Sequence, residues 1–300
     1  MTAREGTAPG APLSLAGMQV DVTTRMGDLT PATPTGLPIL DGMLAGGLRS
    51  GTMMSVSGAP GVGKTAFVLT LAYMAARARA AVLFTSVSLD ETEVMARLAA
   101  RALHREYPAS LTPYGAIWSG QAWKDETTRR PVGSAVETVV KKVGANLHLH
   151  KARPFASSAE LAALVGHLWE RHERVVLVVD GIQAFRAAAG GSAAESAIVN
   201  ASYAGRVSQL AYELRQLAEA GCAVLVSAQD RDRELVSPAA TLSAELRVIE
   251  GTLASPIAER QLALGARALE LRVEKNALGP TGIVPLRFIA GAATFEERAP

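Results

Sequence analysis

Eight consecutive residues, Gly58, Ala59, Pro60, Gly61, Val62, Gly63, Lys64 and Thr65, carry the spacing Gly-x-x-x-x-Gly-Lys-Thr. That spacing suits a cradle for phosphate. Glycines let the backbone bend round the anion and turn successive N–H groups toward it. Lys64 would reach the β- and γ-phosphates, and the Thr65 hydroxyl would hold Mg²⁺. Ala66 continues the cradle into a run rich in Ala and Leu, which favours helix. Before the glycines stands the β-like run Thr52, Met53, Met54, Ser55, Val56, Ser57. A strand feeding such a loop into a helix N-terminus adds the helix dipole to the anion site.

Three more positions could complete nucleotide chemistry. Asp180 follows five apolar residues, Val175 to Val179. An acid at the end of such a strand, beside the phosphate loop, is placed to support Mg²⁺ directly or through water. Hydrolysis also needs a group that orients or deprotonates the attacking water. Asp90 and Glu91 follow the next strand and are candidates, with Asp90 ahead of Glu91, though Asp90 also suits a helix cap. Gln229 follows the strand ending in Val226, Ser227 and Ala228. It could bond the γ-phosphate or the water.

The elements that must position these residues alternate along the chain. Apolar strands are expected at 81–85, 146–151, 174–179 and 223–227, between helices at 90–104, 134–143, 157–172 and 198–220. Asp90 and Glu93 are spaced as a capping box. Residues 106–132 read as irregular. Strands at 269–274 and 283–288 flank Gly279-Pro280-Thr281-Gly282 and read as a hairpin. The fold class is therefore α/β, with a mostly parallel central sheet covered by helices on both faces and a C-terminal β-hairpin. Residues 1–34 read as a flexible leader before a domain at 35–300. The cluster at 13–18, LSLAGM, reads as a docking arm, a short strand or neither.

Composition bounds the rest. The 300 residues are 49% hydrophobic and 5% aromatic, enough for a large core built mainly of Ala, Leu and Val. A formal charge of +2 gives no global basic field for nucleic acid. Cys222 stands alone, so no intramolecular disulfide forms, and its apolar surroundings make it a buried small hydrophobe. No signal peptide or bilayer-spanning run is visible, so a cytoplasmic protein without membrane partners is expected.

Five stretches, taken in order, resemble the RecA-type ATPase core of the DnaB replicative helicases and the RadA recombination proteins. They are TGLPILDGMLAGGL before the phosphate loop, FTSVSLDETEVMARLAA, LVVDGIQAF, SAQDR and KNALGPTG. The resemblance implies a RecA-like P-loop NTPase fold binding ATP and Mg²⁺. It implies a ring or filament of identical subunits, each nucleotide lying between neighbours. Asp90 takes the position of the family's catalytic glutamate, Asp180 the Walker B acid and Gln229 the sensor glutamine. Lys275 takes the lysine of the Lys-x-Arg segment, which acts in trans on the neighbour's γ-phosphate. The arginine position is Ala277, a departure that Arg272 or Arg267 could cover.

The resemblance also implies that single-stranded DNA meets the loops at 186–196 and 230–243. The first brings one basic residue. The second sets Arg231 and Arg233 against Asp230, Asp232 and Glu234, and neither holds an aromatic residue to stack on bases. Two functions remain open. One is an oligomeric ATPase, helicase-core-like, acting on DNA in replication, recombination or repair. The other is a weakly active or inactive regulator or scaffold switched by nucleotide.

Overall fold

The computed structural model describes residues 31–107, 112–188, 202–249 and 264–298. The cluster at 13–18 and most of the loop at 186–196 lie outside them. So does nearly all of the expected leader, but Thr33 is joined to the body by paired backbone hydrogen bonds with Leu48, at 2.7 and 2.8 Å.

Nine strands among the described residues form one sheet: β1 (Met53–Ser57), β2 (Ala81–Ser86), β3 (Leu147–Lys151), β4 (Val175–Asp180), β5 (Ala223–Ser227), β6 (Leu242–Val248), β7 (Ala266–Asn276), β8 (Gly282–Ile289) and β9 (Thr294–Glu297). Their order is β3-β2-β4-β5-β1-β6-β7-β8-β9. From β3 to β6 every neighbour runs parallel; from β6 to β9 every neighbour runs antiparallel.

Strands β1, β2, β4 and β5 are buried along their whole length. Such strands must be apolar on both faces, which is why each reads as a largely apolar run. Successive residues point to opposite faces. Val176 and Val178 join one core with the helices Lys64–Arg77 (α1), Glu91–Glu106 (α2) and Glu126–Val143 (α3). Val175, Leu177 and Val179 join the other with Ser158–Trp169 (α4) and Tyr203–Glu219 (α5). Cys222 lies in that second core, and burial pushes its thiol up to about 12.

The antiparallel half is built differently. Leu269, Leu271, Val273, Val284, Leu286 and Phe295 face the first core. The opposite face carries cross-strand charges, with Glu245 opposite Arg272 and Arg247 opposite Glu270. Arg233 reaches Glu245 at 2.7 Å and Glu274 at 3.3 Å. One apolar and one charged face is the ordinary antiparallel arrangement.

Several expectations need correction. The C-terminal hairpin is present as β7 and β8; β6, which the sequence reading did not identify, joins it to β1, and β9 extends it. The stretch read as irregular contains the short helix Tyr114–Trp118 and the first turns of α3, capped by Asp125. Pro131 masked that start, since proline inside a helix removes a hydrogen bond. Among the described residues no helix is long and apolar enough to cross a membrane.

Candidate functional site

The parallel register brings the strand ends together. Ser86 pairs with Asp180, and Val179 with Val226, so Ser227 stands beside Asp180 on the other side. Between β1 and α1 the phosphate loop passes close over neighbouring backbone. A Cβ on Gly58 would lie 2.6 Å from the Leu246 carbonyl oxygen. Gly63 is left-handed at φ +108, and a Cβ there would meet the Phe288 ring at 3.0 Å. Glycine is required at both, by contact at the first and by contact and conformation at the second.

Asp180 is buried and held by three hydroxyls. Its Oδ1 accepts from Thr65 Oγ1 at 3.0 Å and from Ser227 Oγ at 2.9 Å; its Oδ2 accepts from Ser86 Oγ at 3.2 Å. Burial raises the pKa of this carboxyl, and the three hydroxyl bonds oppose the rise. Lys64 Nζ donates to the carbonyl oxygens of Gly58 at 2.8 Å and Ala59 at 2.9 Å. Its pKa is lowered, first by burial, while Asp180 and Asp230 pull it back up.

Lys64, Thr65, Asp180 and Ser227 line one cavity of about 250 Å³ with Pro60, Ser88, Gln183 and Gln229. Thus Lys64, Thr65, Asp180 and Gln229 converge. Asp90 does not line this cavity. It caps α2, accepting from the Glu93 N–H at 2.8 Å. Glu93 does not close the box; its carboxylate pairs with Arg97 at 2.7 Å. Lys275 lies on β7 and donates to the Ser237 and Pro238 carbonyls of its own chain, at 2.8 and 3.2 Å.

The donor set fits a phosphate–Mg²⁺ group. A buried carboxylate and a threonine hydroxyl offer the oxygen ligands that Mg²⁺ prefers. Asp180 has three hydroxyl partners but no direct cationic one among the described residues, and a cation would offset its burial. Ser86, Ser88, Ser227 and Gln183 escaped the sequence reading. The signal for two of them was available: β2 and β5, like β4, each end an apolar run on a polar residue. On the other side of the phosphate loop a second cavity, of about 340 Å³, is lined by Gly63, Arg97, Tyr114 and Phe288 among others. The Arg97 guanidinium lies 4.3 Å over the Tyr114 ring centroid.

The loops expected to face DNA acquire neighbours that the sequence did not show. Arg231 stacks on Tyr203 at 5.0 Å, and Arg206 lies between Tyr203 and Phe155, at 5.4 and 5.2 Å from their ring centroids. Phe155 is 52% exposed. Its N–H donates to the Ala184 carbonyl beside the phosphate cavity, and Arg186 Nε donates to its carbonyl. The loops themselves hold no aromatic residue; Phe155 and Tyr203 come from other segments.

Comparison with known proteins adds three findings. The family model described as DnaB-like helicase C terminal domain matches residues 32–247. A solved structure of a DnaB-like replicative helicase, reported with its interactions with primase, superimposes with a TM-score of 0.72 at 17% identity, over 95% of this chain and 67% of that one. A second solved structure, an ATPase domain, superimposes with a TM-score of 0.71 at 18% identity, over 95% of this chain and 99% of that one. No curated protein matches. The family match ends before Lys275, so β7 to β9 stand outside it.

Proposed function

The chain belongs to the DnaB-like helicase C-terminal domain family, with a RecA-type ATPase fold, and from that premise we propose that it binds and hydrolyses Mg-ATP. In this proposal it works as a cytoplasmic homo-oligomer, a ring or filament, on single-stranded DNA during replication, recombination or repair. The observation that carries it is the convergence of Lys64, Thr65 and Asp180 on one cavity at the strand ends.

Each residue has a part. The loop amides and Lys64 bind the phosphates, Lys64 exchanging its carbonyl partners for phosphate oxygens. Thr65 and Asp180 would hold Mg²⁺, which supplies charge neutralisation at the transferring phosphoryl group. Gln229 reaches the γ-phosphate end. Arg97, Tyr114 and Phe288 offer the nucleoside an aromatic, cationic wall. Asp90 is proposed to accept the water's proton, which requires it to leave its cap. Lys275 would act across a subunit boundary after leaving Ser237 and Pro238. The Phe155–Arg206–Tyr203–Arg231 stack supports the DNA assignment, because bases stack on aromatic and guanidinium planes and phosphates attract arginine.

A second reading, the nucleotide-switched scaffold, is favoured by Ala277 and by Lys275 being held within its own chain. ATP hydrolysis measured with and without single-stranded DNA separates the two, with Lys64→Ala as blank. DNA-stimulated turnover absent from the blank supports the motor. ATP binding without turnover sinks it.

A further inference from the structure

One side chain of the phosphate cavity still without an assigned task is Gln183. Gln183 sits in the single turn Ile182–Ala184 that follows Asp180 and Gly181. Its Oε1 is buried from solvent and has no hydrogen-bond partner among the described residues. An amide carbonyl left in that condition costs free energy, since it has given up water and gained nothing in return. It is expected to be paired at some stage of the working cycle.

Its surroundings fix where it points. The amide lies over the bare α-carbon of Gly181, where a Cβ would stand 3.2 Å from Nε2 and 3.7 Å from Oε1. Gly181 is in turn tied to the Mg²⁺ corner: its N–H donates to Ser227 Oγ at 2.8 Å, and Ser227 donates to Asp180. Gln183 lines the cavity with Lys64, Thr65 and Asp180. Asp90, the residue expected to govern water, caps α2 and does not line it.

We infer that Gln183 positions the attacking water. This rests on the ATPase reading above. With the amide turned from Gly181 into the cavity, Oε1 accepts a hydrogen bond from the water and Nε2 donates to an oxygen of the terminal phosphoryl group, the two bonds that hold a nucleophile in line. The water oxygen forms the new bond to phosphorus as the bond to the bridging oxygen breaks. The electron pair leaves with the nucleoside diphosphate, and the water's proton passes to Asp90, the acceptor proposed above. The amide itself takes no proton. Losing one such oriented dipole costs roughly 10²-fold in turnover.

The role also links the two surfaces. The turn that carries Gln183 includes Ala184, whose carbonyl accepts the Phe155 N–H of the arginine–aromatic stack. A strand laid on that stack could therefore shift the water-holding amide through one turn.

The test compares wild type, Gln183→Ala and Gln183→Glu, with Lys64→Ala as reference. ATP turnover, the affinity for Mg-ADP and the affinity for Mg-ADP with aluminium fluoride are measured on each. For Gln183→Ala, turnover should fall about 100-fold while Mg-ADP affinity stays within about threefold. The extra affinity that aluminium fluoride confers on wild type should disappear. Gln183→Glu keeps an acceptor but loses the donor and should also lose that extra affinity, which guards against misfolding of the alanine variant. Unchanged turnover and fluoride response in both variants, with an active wild type, overturns this inference alone. A wild type that binds ATP without turnover overturns it together with the motor reading.

Discussion

Two lysines, one in each half of the sheet, make nearly the same contacts to opposite ends. Lys64, after β1 in the parallel half, donates to two successive carbonyls at 2.8 and 2.9 Å. Lys275, on β7 in the antiparallel half, donates to two successive carbonyls at 2.8 and 3.2 Å. The first pair of acceptors belongs to a glycine loop beside a cavity and a buried acid, and burial depresses that ammonium. The second pair belongs to the segment between β5 and β6, and no cavity among those described opens there. The same chemistry stands at a candidate ligand site in one half and is a fastening in the other. Carboxyl ends of parallel strands all point one way, so they gather polar residues at one edge. Antiparallel strands scatter theirs.

The largest effect should come from the fastening half acting on the site. Phe295 is fully buried, stacks on Phe288 at 4.4 Å and meets Phe67 of α1 edge-on at 5.2 Å. Phe295→Ala should cost about 3–5 kcal/mol of stability, read by denaturant unfolding. A loss below about 1 kcal/mol, far under the usual range for such a truncation, would mean the two halves are energetically separate. Next is Lys64→Ala, which removes charge-assisted bonds to phosphate and should weaken ATP binding about 100-fold, measured with a fluorescent nucleotide, while melting stays unchanged. Lys275→Ala should do the reverse on an isolated subunit: nucleotide affinity holds, and stability drops by about 1 kcal/mol. If it weakens binding in the isolated subunit, the contrast between the lysines is wrong. The smallest effect is on the fold of Asp180→Asn. Its hydroxyl partners can still be bonded and the burial penalty on the charge vanishes, so the melting temperature should hold or rise slightly. Mg²⁺-dependent ATP binding should be lost in the same variant.

The parallel half is legible in the sequence because its information is local. Val175 to Asp180 is a buried strand ending on an acid whatever else the chain does, and Gly58 to Thr65 carries its own spacing. Strand β6 is not legible. LSAELRV pairs with β1 across 188 positions of chain, as the Ser55–Ser243 contact shows, and its apolar and charged residues alternate because only one of its faces packs on the core. Ser86 and Ser227 are visible as polar residues ending apolar runs, but their bonds to Asp180 are not, since they lie far from it in sequence and adjoin it only in register. Asp90 reads two ways in the sequence, and the geometry displays the cap. The arginine–aromatic stack is invisible there because Phe155, Tyr203, Arg206 and Arg231 come from three separate segments.

The packing of Phe67 against Phe295 also sets an order on biosynthesis. The lead-in to the phosphate loop is tied to β9 as well: Glu297 accepts from the Ile39 and Leu40 N–H groups, the former pair 258 residues apart in the chain. On a ribosome adding roughly 5–20 residues per second, the phosphate loop is exposed for roughly ten seconds to a minute before its wall of Phe288 and Phe295 is made. A nascent chain interrupted after β6 would already contain Lys64, Thr65, Asp180 and Gln229, yet would lack the rings against which Gly63 and α1 are set. On the reading proposed above, such a truncated product is expected to bind nucleotide more weakly than the chain carrying β8 and β9, although it holds every residue of the motif.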